Sequence, residues 1–322
     1  LTTLLGDLIR SQEGDKLLQK IEQIRALAKN IHSHPTAENI EEQRKIIRTL
    51  DLEEAYKVAR AFTMYFQLLN IAEEMQRVRR IREYDRDLST LQDMSLRKLF
   101  SDLHKQGVTA SELIKFMHQM RIELVLTAHP TEAKRRTMMD HLLRIASDLS
   151  QLDSDQLTIY ERESTTNSIR ETLEIMWQTS EIRQRKVGVF DEVDQTLFFF
   201  QRTILNLLPR VQTRLRREFE RYYGKDHGEI LPFVRFGSWV GPDRDGNPFV
   251  TCEVTQKTAA LQKKNILNVY LSALEDIIRK HSQSQDVVKV SKKLIESVDE
   301  DAKSMPESAK KLERYEASEI YR

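Results

Sequence analysis

The sequence is short of the residues that make turns. Its 322 residues include 9 glycines and 7 prolines, against about 23 and about 16 at the average usage of ~7% and ~5%. All-β sandwiches and barrels need a turn signal about every 8–12 residues, so the deficit disfavours them. Long helices need few turns, and the composition therefore favours a mostly helical chain.

Cysteine and long hydrophobic runs are also scarce. Cys252 is the only cysteine, which excludes an intrachain disulfide and a metal site built from several thiolates. No stretch approaches about 18 consecutive apolar residues, the length that would cross a membrane. The first residues lack the basic and apolar segments of a secretory signal. We expect a cytoplasmic protein with no membrane partner.

The balance of charge gives no general attraction towards polyanions. The sequence has 51 Lys and Arg residues and 50 Asp and Glu residues, so the net charge is +1 at pH 7. Domains that bind nucleic acid are usually strongly basic, so we expect no nucleic-acid partner, and any anion site must be local. Apolar residues make up 39% of the sequence, enough for one large domain or two ordinary ones.

Apolar residues recur every three or four positions through most of the chain, a spacing that predicts amphipathic helices. Pro209 is expected to kink or split its helix, and the segments His32–Asn39 and Asp299–Glu307 are typical of loops. The last predicted helix is polar enough to be exposed to solvent. Helices are predicted over 4–32, 53–83, 132–150, 155–186, 193–219, 254–278 and 284–322.

Two short β-prone stretches interrupt this helical pattern. They span 122–127 and 233–240, and each is followed by a proline-containing loop and then a helix. In parallel α/β architectures, ligands bind at the carboxyl ends of the strands. The chemistry is therefore expected at residues 128–132 and 241–248. A purely structural turn held by an Asp–Arg pair is the alternative interpretation of the second loop.

Two long motifs in these places resemble those of a known family. The segment 124–137, LVLTAHPTEAKRRT, resembles the histidine motif of phosphoenolpyruvate carboxylase of the bacterial and plant type. The segment 236–248, FGSWVGPDRDGNP, resembles the second N-terminal signature of that family. Their order and separation are similar to those of the family. Helical stretches around Arg60 and Arg183 extend the resemblance over nearly the whole chain.

The resemblance implies a reaction and a fold. The enzyme would join bicarbonate to phosphoenolpyruvate, giving oxaloacetate and phosphate through carboxyphosphate and an enolate, with Mg²⁺ or Mn²⁺. The fold would be a closed α/β barrel of the TIM type, heavily embellished with helices, usually assembled as a tetramer. Only its first two strands, 122–127 and 233–240, would be present here. An N-terminal helical region, 1–121, would precede the start of the barrel, 122–322.

Members of this family are much longer than the sequence. We therefore expect an N-terminal portion of the enzyme that is inactive alone, with the metal ligands in the part that follows. A catalytically incomplete helical module that binds a partner or a phosphate is the alternative hypothesis.

His129 is the expected catalytic base. In the stepwise mechanism that the resemblance implies, a base takes the carboxyl proton of carboxyphosphate, and carbon dioxide is released for the enolate to attack. An imidazole with an ordinary pKa near ~6.5 is largely neutral at cytosolic pH and can accept this proton. Without the motif, a lone histidine after a strand is more often a hydrogen-bonded core residue. His32 and His34 have the spacing of a metal-binding pair, but that pattern alone carries little weight.

Four residues of the second motif are expected to support the mouth of the active site. Trp239 would form a wall that keeps carbon dioxide away from water, and an ordinary core tryptophan is the alternative. Asp243, Arg244 and Asp245 would order the mouth when substrate binds, without binding a metal. Pro242 stands where the family usually has a second glycine, and proline removes an amide donor and fixes φ near about −65°.

Arg135, Arg136 and Arg183, with Arg185 as an alternative to Arg183, form a candidate effector site. Arg135 and Arg136 open a predicted helix, where guanidinium groups and free backbone amides favour a phosphate. The resemblance associates the matching arginines with an activating sugar phosphate at a subunit contact. A solvated charged face is the alternative.

Overall fold

The computed structural model describes residues 1–87, 89–127, 135–180, 188–245, 247–312 and 318–319. The described chain is mostly helical, with two short strands, as the sequence predicts. The strands are β1 (Ile122–Leu126) and β2 (Val234–Ser238). The helices are α1 (Thr2–Glu13), α2 (Asp15–Ser33), α3 (Ala37–Arg48), α4 (Leu52–Arg86), α5 (Leu96–Lys105), α6 (Ala110–Gln119), α7 (Arg136–Leu152), α8 (Ile159–Gln178), α9 (Val189–Phe199), α10 (Leu205–Tyr223), α11 (Cys252–Lys280), α12 (Lys292–Ser304) and α13 (Pro306–Leu312). Of the helices described, none is long and apolar enough to cross a membrane.

The chain forms two compact units whose segments alternate along the sequence. Unit 1 combines Leu1–Gln119, Thr131–Val187 and Arg214–Leu231. Unit 2 combines Met120–Pro130, Gly188–Thr213 and Pro232–Arg322. Each unit therefore contains segments that are far apart in sequence. The division at residue 121 expected from the sequence stays a prediction.

The core of unit 1 lies where α1, α2, α4, α7 and α8 meet. Met64 on α4, Ile145 on α7 and Leu173 on α8 are each 0% exposed. Full burial of such a side chain contributes about 1.5–3 kcal/mol relative to leaving it in water, so the shared burial of these faces holds the helices together. The other buried members are Leu5, Ile9, Leu17, Ile21, Ile24, Val58, Ala61, Leu68, Met138, Ile169, Met176 and Trp177.

Helix α4 confirms the long helix predicted over 53–83 and corrects the face that it buries. A capping box starts it: the Asp51 side chain accepts a hydrogen bond from the Glu54 N–H at 2.8 Å, and Glu54 accepts one from the Asp51 N–H at 3.4 Å. The three-and-four spacing predicts a buried face that includes Val58, Phe62 and Phe66, but Phe66 is 55% exposed. Of the four buried side chains, Val58 belongs to the predicted face and Ala61, Met64 and Leu68 do not, so the packed face is rotated towards these three.

Several helix boundaries differ from those predicted. The helix expected over 4–32 is two helices, because Gly14 has a φ of 84° and separates α1 from α2. The helix expected over 284–322 is wrong for residues 284–291, which are not helical. The loop expected over Asp299–Glu307 is wrong except at Met305, because α12 ends at Ser304 and α13 begins at Pro306. Helices α3, α5 and α6 were not predicted.

Pro209 does not split its helix. Helix α10 continues through Pro209, and a π-helical segment, Phe200–Ile204, lies immediately before α10. Proline has no N–H, and its ring crowds the carbonyl one turn earlier in the helix. The irregularity therefore lies upstream of the proline, as a wider π turn.

The two strands pair in parallel within unit 2. Ile122 lies opposite Val234 and Leu126 opposite Ser238. Beyond the last pair, the Trp239 N–H donates to the Leu126 carbonyl at 2.8 Å. Both strands therefore end at the same edge of the sheet, and the segments that follow them leave from that edge. The exposed apolar side chains of β1 are Ile122, Leu124 and Val125.

Leu173→Ala tests the core of unit 1. The truncation leaves a cavity, so we expect the free energy of unfolding to fall by about 2–5 kcal/mol. Urea unfolding of a Trp239→Phe background, followed by the fluorescence of the buried Trp177, measures it. Leu52→Ala is the matched control, since Leu52 is 89% exposed, and its effect should stay within about 0.5 kcal/mol. Equal losses in the two variants would contradict this core.

Candidate functional site

The signature loop, residues 239–248, leaves β2 at the edge where β1 also ends. The Asp243 N–H donates to the Trp239 carbonyl at 3.2 Å and closes a turn. Inside that turn Gly241 has a φ of 95°, in the left-handed region that favours glycine. His129 follows β1 in the sequence but lies outside the described residues, as does Gly246 in the loop. The described geometry thus brings the starts of the two motif loops together.

Helix α11 approaches the loop closely at Gly241. A Cβ atom on residue 241 would come closest to Thr258 Oγ1, and it would lie 2.7 Å from Thr258 Cγ2 and 3.0 Å from Thr258 Cβ. The Thr255 hydroxyl also donates to the Gly241 carbonyl at 3.4 Å. Gly241 and Thr258 are both buried. Glycine is therefore required here both for its backbone angle and for the space that a side chain would need.

The charged residues of the loop make contacts that hold the loop itself. Asp243 Oδ1 accepts a hydrogen bond from the Asp245 N–H at 3.1 Å, an Asx turn. Arg244 Nη2 donates to Cys252 Sγ at 3.3 Å, at the first residue of α11. Arg244 and Asp245 are exposed. These contacts connect the loop with the start of α11, and the predicted ordering of the mouth by substrate stays a prediction.

Trp239 is an exposed residue at the strand-end edge, the edge of the sheet where β1 and β2 both end. Its side chain is 53% exposed, whereas the neighbouring Val240 is 2% exposed. Within the described residues Trp239 is therefore not packed in a core, and the alternative of a core tryptophan in a longer chain stays open. Its role as a wall for carbon dioxide stays a prediction.

Pro242 fits the turn without the loss of a hydrogen bond. Among the described residues, Met94 is the one non-glycine with positive φ, so Pro242 keeps the negative φ that its ring requires. The left-handed position belongs to Gly241, and the N–H that closes the turn belongs to Asp243. Neither a positive φ nor an amide donor is needed at position 242.

The first two expected effector arginines, Arg135 and Arg136, lie at the N terminus of α7 in unit 1. Arg135 is the N-cap residue of this helix, and Arg136 is its first residue. The Arg135 guanidinium donates to the carbonyl of Ser180. Ser180 is followed by the segment 181–187, which contains Arg183 and Arg185 and lies outside the described residues. Arg135 therefore lies beside the residue from which that segment continues.

Arg60 has a structural role that its position in the sequence did not indicate. Arg60 Nη2 donates to the carbonyls of Met176 at 3.1 Å and Thr179 at 2.5 Å, and its guanidinium carbon lies 5.3 Å from the centroid of the Trp177 ring. A cation at the C terminus of a helix is stabilised by the free carbonyls and the helix dipole. Arg60 thus caps α8 and stacks on a buried aromatic ring.

A divalent metal does not fit the described part of the chain. No three His, Cys, Asp or Glu side chains converge there on a point where they could hold an ion. His32 and His34, the metal-binding pair considered from the sequence, lie in the last turn and at the C-cap of α2. We therefore assign no metal ligand to these residues and derive no catalytic step through a metal.

Known proteins are similar to this chain over most or all of its length. The sequence model of the family described as Phosphoenolpyruvate carboxylase matches residues 1–322. The phosphoenolpyruvate carboxylase of Roseiflexus castenholzii is 34% identical over 323 residues, which cover 100% of this chain and 34% of the relative. The enzyme of that name from Nitrosomonas europaea is 35% identical, with 90% of this chain and 31% of the relative covered. The enzyme of that name from Rhodothermus marinus is 34% identical, with 87% of this chain and 30% of the relative covered.

The chain belongs to the phosphoenolpyruvate carboxylase family. The resemblance drawn from the two motifs is thereby confirmed. The chain spans about a third of the length of the curated relatives that it matches. In this chain, the described residues of the two motifs form the edge of the sheet where β1 and β2 end, together with the turn at Gly241 that α11 supports.

Gly241→Ala tests the close approach of α11 to the signature loop. The positive φ strains alanine, and the contact with Thr258 adds to the cost, so we expect a loss of about 2–4 kcal/mol in the free energy of unfolding. Gly107→Ala is the matched control. Gly107, at the end of α5, also has a positive φ of 79° but open space around it, so its loss should be about 1–2 kcal/mol. Urea unfolding followed by far-UV circular dichroism measures both, and equal losses would argue against the close approach.

Proposed function

We propose that this chain acts as the N-terminal third of a phosphoenolpyruvate carboxylase, which joins bicarbonate to phosphoenolpyruvate and releases oxaloacetate and phosphate. The observation that carries the proposal is the parallel pairing of β1 with β2. Leu126 pairs with Ser238, so the two family motifs leave the sheet side by side. Family membership over residues 1–322 supports the same function.

The two strands would be the first two of a TIM-type barrel. In such a barrel, parallel strands are neighbours, and the catalytic residues lie at their carboxyl ends. Parallel sheets are normally covered on both faces, whereas Leu124 and Val125 of β1 are 50% and 48% exposed. Further strands and helices of the full-length enzyme would cover these side chains, and the full-length enzyme would assemble as a tetramer.

His129 is proposed as the catalytic base. A bicarbonate oxygen attacks the phosphorus of phosphoenolpyruvate, and the bond between phosphorus and the enol oxygen breaks, giving carboxyphosphate and an enolate. Neutral His129 then takes the carboxyl proton of carboxyphosphate, which separates into carbon dioxide and phosphate. The enolate carbon attacks carbon dioxide to form oxaloacetate. The family resemblance implies Mg²⁺ or Mn²⁺ as a Lewis acid, but the described residues offer no ligand set for it.

The signature loop is proposed to shield the carbon dioxide released in this step. Trp239 follows β2 directly and is hydrogen-bonded through its backbone to Leu126, the last residue of β1. Its exposed indole supplies an apolar surface at the edge that the His129 motif also leaves. An apolar wall at this place keeps water from a reactive, uncharged intermediate. Asp243, Arg244 and Asp245 would order the loop around it.

Arg135, Arg136 and Arg183 are proposed to bind the phosphate of an activating sugar phosphate. Two guanidinium groups at the start of α7 combine with free backbone amides to favour an anion. The contact of Arg135 with Ser180 supports the inclusion of Arg183, because Ser180 immediately precedes the segment that carries it. Arg185 is the alternative third member.

His129→Asn tests the carboxylase function and the role of the base. In a full-length enzyme that carries this sequence, the substitution should suppress the formation of oxaloacetate more than the release of phosphate, because the base acts after phosphoryl transfer. A loss of about 10²–10⁴-fold in oxaloacetate is the scale of general base catalysis. Coupling to malate dehydrogenase measures oxaloacetate, and a phosphate assay measures the other product.

Two comparisons complete this test. The 322-residue chain assayed alone with phosphoenolpyruvate, bicarbonate and Mg²⁺ should make no oxaloacetate, because it supplies only part of the barrel. Formation of oxaloacetate by the chain alone would contradict the expectation that it is inactive by itself. A full-length enzyme without carboxylase activity would overturn the proposed function, and an equal loss of both products in His129→Asn would overturn the role of the base.

Arg135→Ala combined with Arg136→Ala tests the effector site. Activation by a sugar phosphate such as glucose 6-phosphate should be lost, while turnover without the activator should stay largely intact, because the arginines do not contact the reacting groups. Arg170→Ala on α8 is the control, since Arg170 is exposed and bonded to Asn167 on its own helix. Steady-state rates with and without the activator measure both variants. Unchanged activation in the double variant would favour the solvated charged face.

A further inference from the structure

We propose that Thr258 of α11 is a positioning residue that supports the turn at Gly241 and thereby fixes Trp239 at the strand-end edge. The importance of Trp239 for turnover rests on the proposed function. The placement of Trp239 is a property of this chain alone and can be measured without any activity.

The contact between Thr258 and Gly241 is a close steric one. Thr258 is 1% exposed, and its Cγ2 and Cβ atoms lie within 3.0 Å of the place that a Cβ of residue 241 would occupy. The Thr258 side chain therefore fills the space beside Gly241 that a side chain there would need. Removing the methyl and hydroxyl groups of Thr258 would leave a space into which the turn can move.

The shape of the Thr258 side chain makes this contact, and its hydroxyl oxygen, the atom nearest to the Cβ position, takes part sterically and not as a hydrogen-bonding group. Thr258 Oγ1 is buried and has no hydrogen-bond partner, and a buried hydroxyl without a partner contributes no favourable interaction. Valine has nearly the same shape, so it should support the turn as well as threonine does. The neighbouring Thr255 hydroxyl reaches the Gly241 carbonyl only at 3.4 Å and also bonds to Thr251 on its own helix at 3.3 Å. The steric contact is thus the main support.

The turn transmits this support to Trp239. On one side, the Trp239 N–H is bonded to Leu126 of β1, and on the other, the Trp239 carbonyl accepts the Asp243 N–H that closes the turn around Gly241. If the turn shifts towards α11, the second bond is lost while the first stays. The indole is then held by the strand alone, and its angle to the edge is no longer fixed.

Acrylamide quenching of Trp239 in this chain measures the placement. The sequence has two tryptophans, and Trp177 is only 5% exposed, so quenching reports mainly Trp239. Thr258→Ala should raise the quenching constant, and Thr258→Val should leave it unchanged. Thr172→Ala is the matched control, because Thr172 is 0% exposed but lies on α8 in unit 1, and it should not change the quenching of Trp239.

Turnover of a full-length carboxylase that carries this sequence measures the consequence. Thr258→Ala should lower kcat for oxaloacetate by about 10-fold or more, since a misplacement of roughly 1 Å costs up to about 10²-fold. The KM for phosphoenolpyruvate should change little, and Thr258→Val should restore kcat. If Thr258→Ala fails to fold, as circular dichroism would show, Thr258→Ser removes the methyl group and keeps the nearer hydroxyl oxygen, so it should raise the quenching constant and lower kcat by smaller factors.

The proposal is overturned if the smaller side chains leave the quenching of Trp239 unchanged, if Thr258→Val is as damaging as Thr258→Ala, or if quenching rises while kcat stays the same. A full-length protein without any carboxylase activity would instead overturn the proposed function. The quenching comparison would still decide whether Thr258 holds Trp239 in place.

Discussion

The arrangement of the candidate active site depends on the backbone hydrogen bonds between β1 and β2. Five residues of each strand pair in parallel, from Ile122 with Val234 to Leu126 with Ser238. These bonds join two segments that are far apart in sequence, and they bring the start of the histidine motif beside the start of the signature loop. Without this ladder, neither the geometry of the Trp239 turn nor the proposed meeting of His129 with Trp239 would follow.

Contacts at helix ends fix the segments that the proposed sites use. In unit 1, Arg60 binds carbonyls at the C terminus of α8, and Arg135 binds the carbonyl of Ser180 just beyond it. In unit 2, Thr258 and Arg244 join the first turns of α11 to the signature loop. In unit 1 the contacts use backbone carbonyls at a helix terminus that lack partners within the helix, whereas in unit 2 side chains make the contacts.

The strands and most helices could be predicted from the sequence, because short β-prone runs and long amphipathic repeats are strong local signals. The break at Gly14 could not, since one glycine costs a helix only about 1 kcal/mol and often lies inside one. The buried face of α4 was misassigned around Phe66, because apolar residues lie on more than one side of this helix and the packing of the other helices of unit 1 decides which side is buried. In the site, the motif residues were visible, but the support from Thr258 was not, because its burial depends on a contact between distant segments.

Disulfide trapping across the strand pair tests the central claim most directly. Glu123 and Arg235 lie opposite each other in the parallel register, so Glu123→Cys with Arg235→Cys, in a Cys252→Ser background, should form a disulfide readily under mild oxidation. Leu124→Cys with Arg235→Cys is the control, because neighbouring residues of a strand point to opposite faces, and it should form little or none. Equal trapping of the two pairs, or trapping of the control pair alone, would contradict the parallel register from which the account of the site is built.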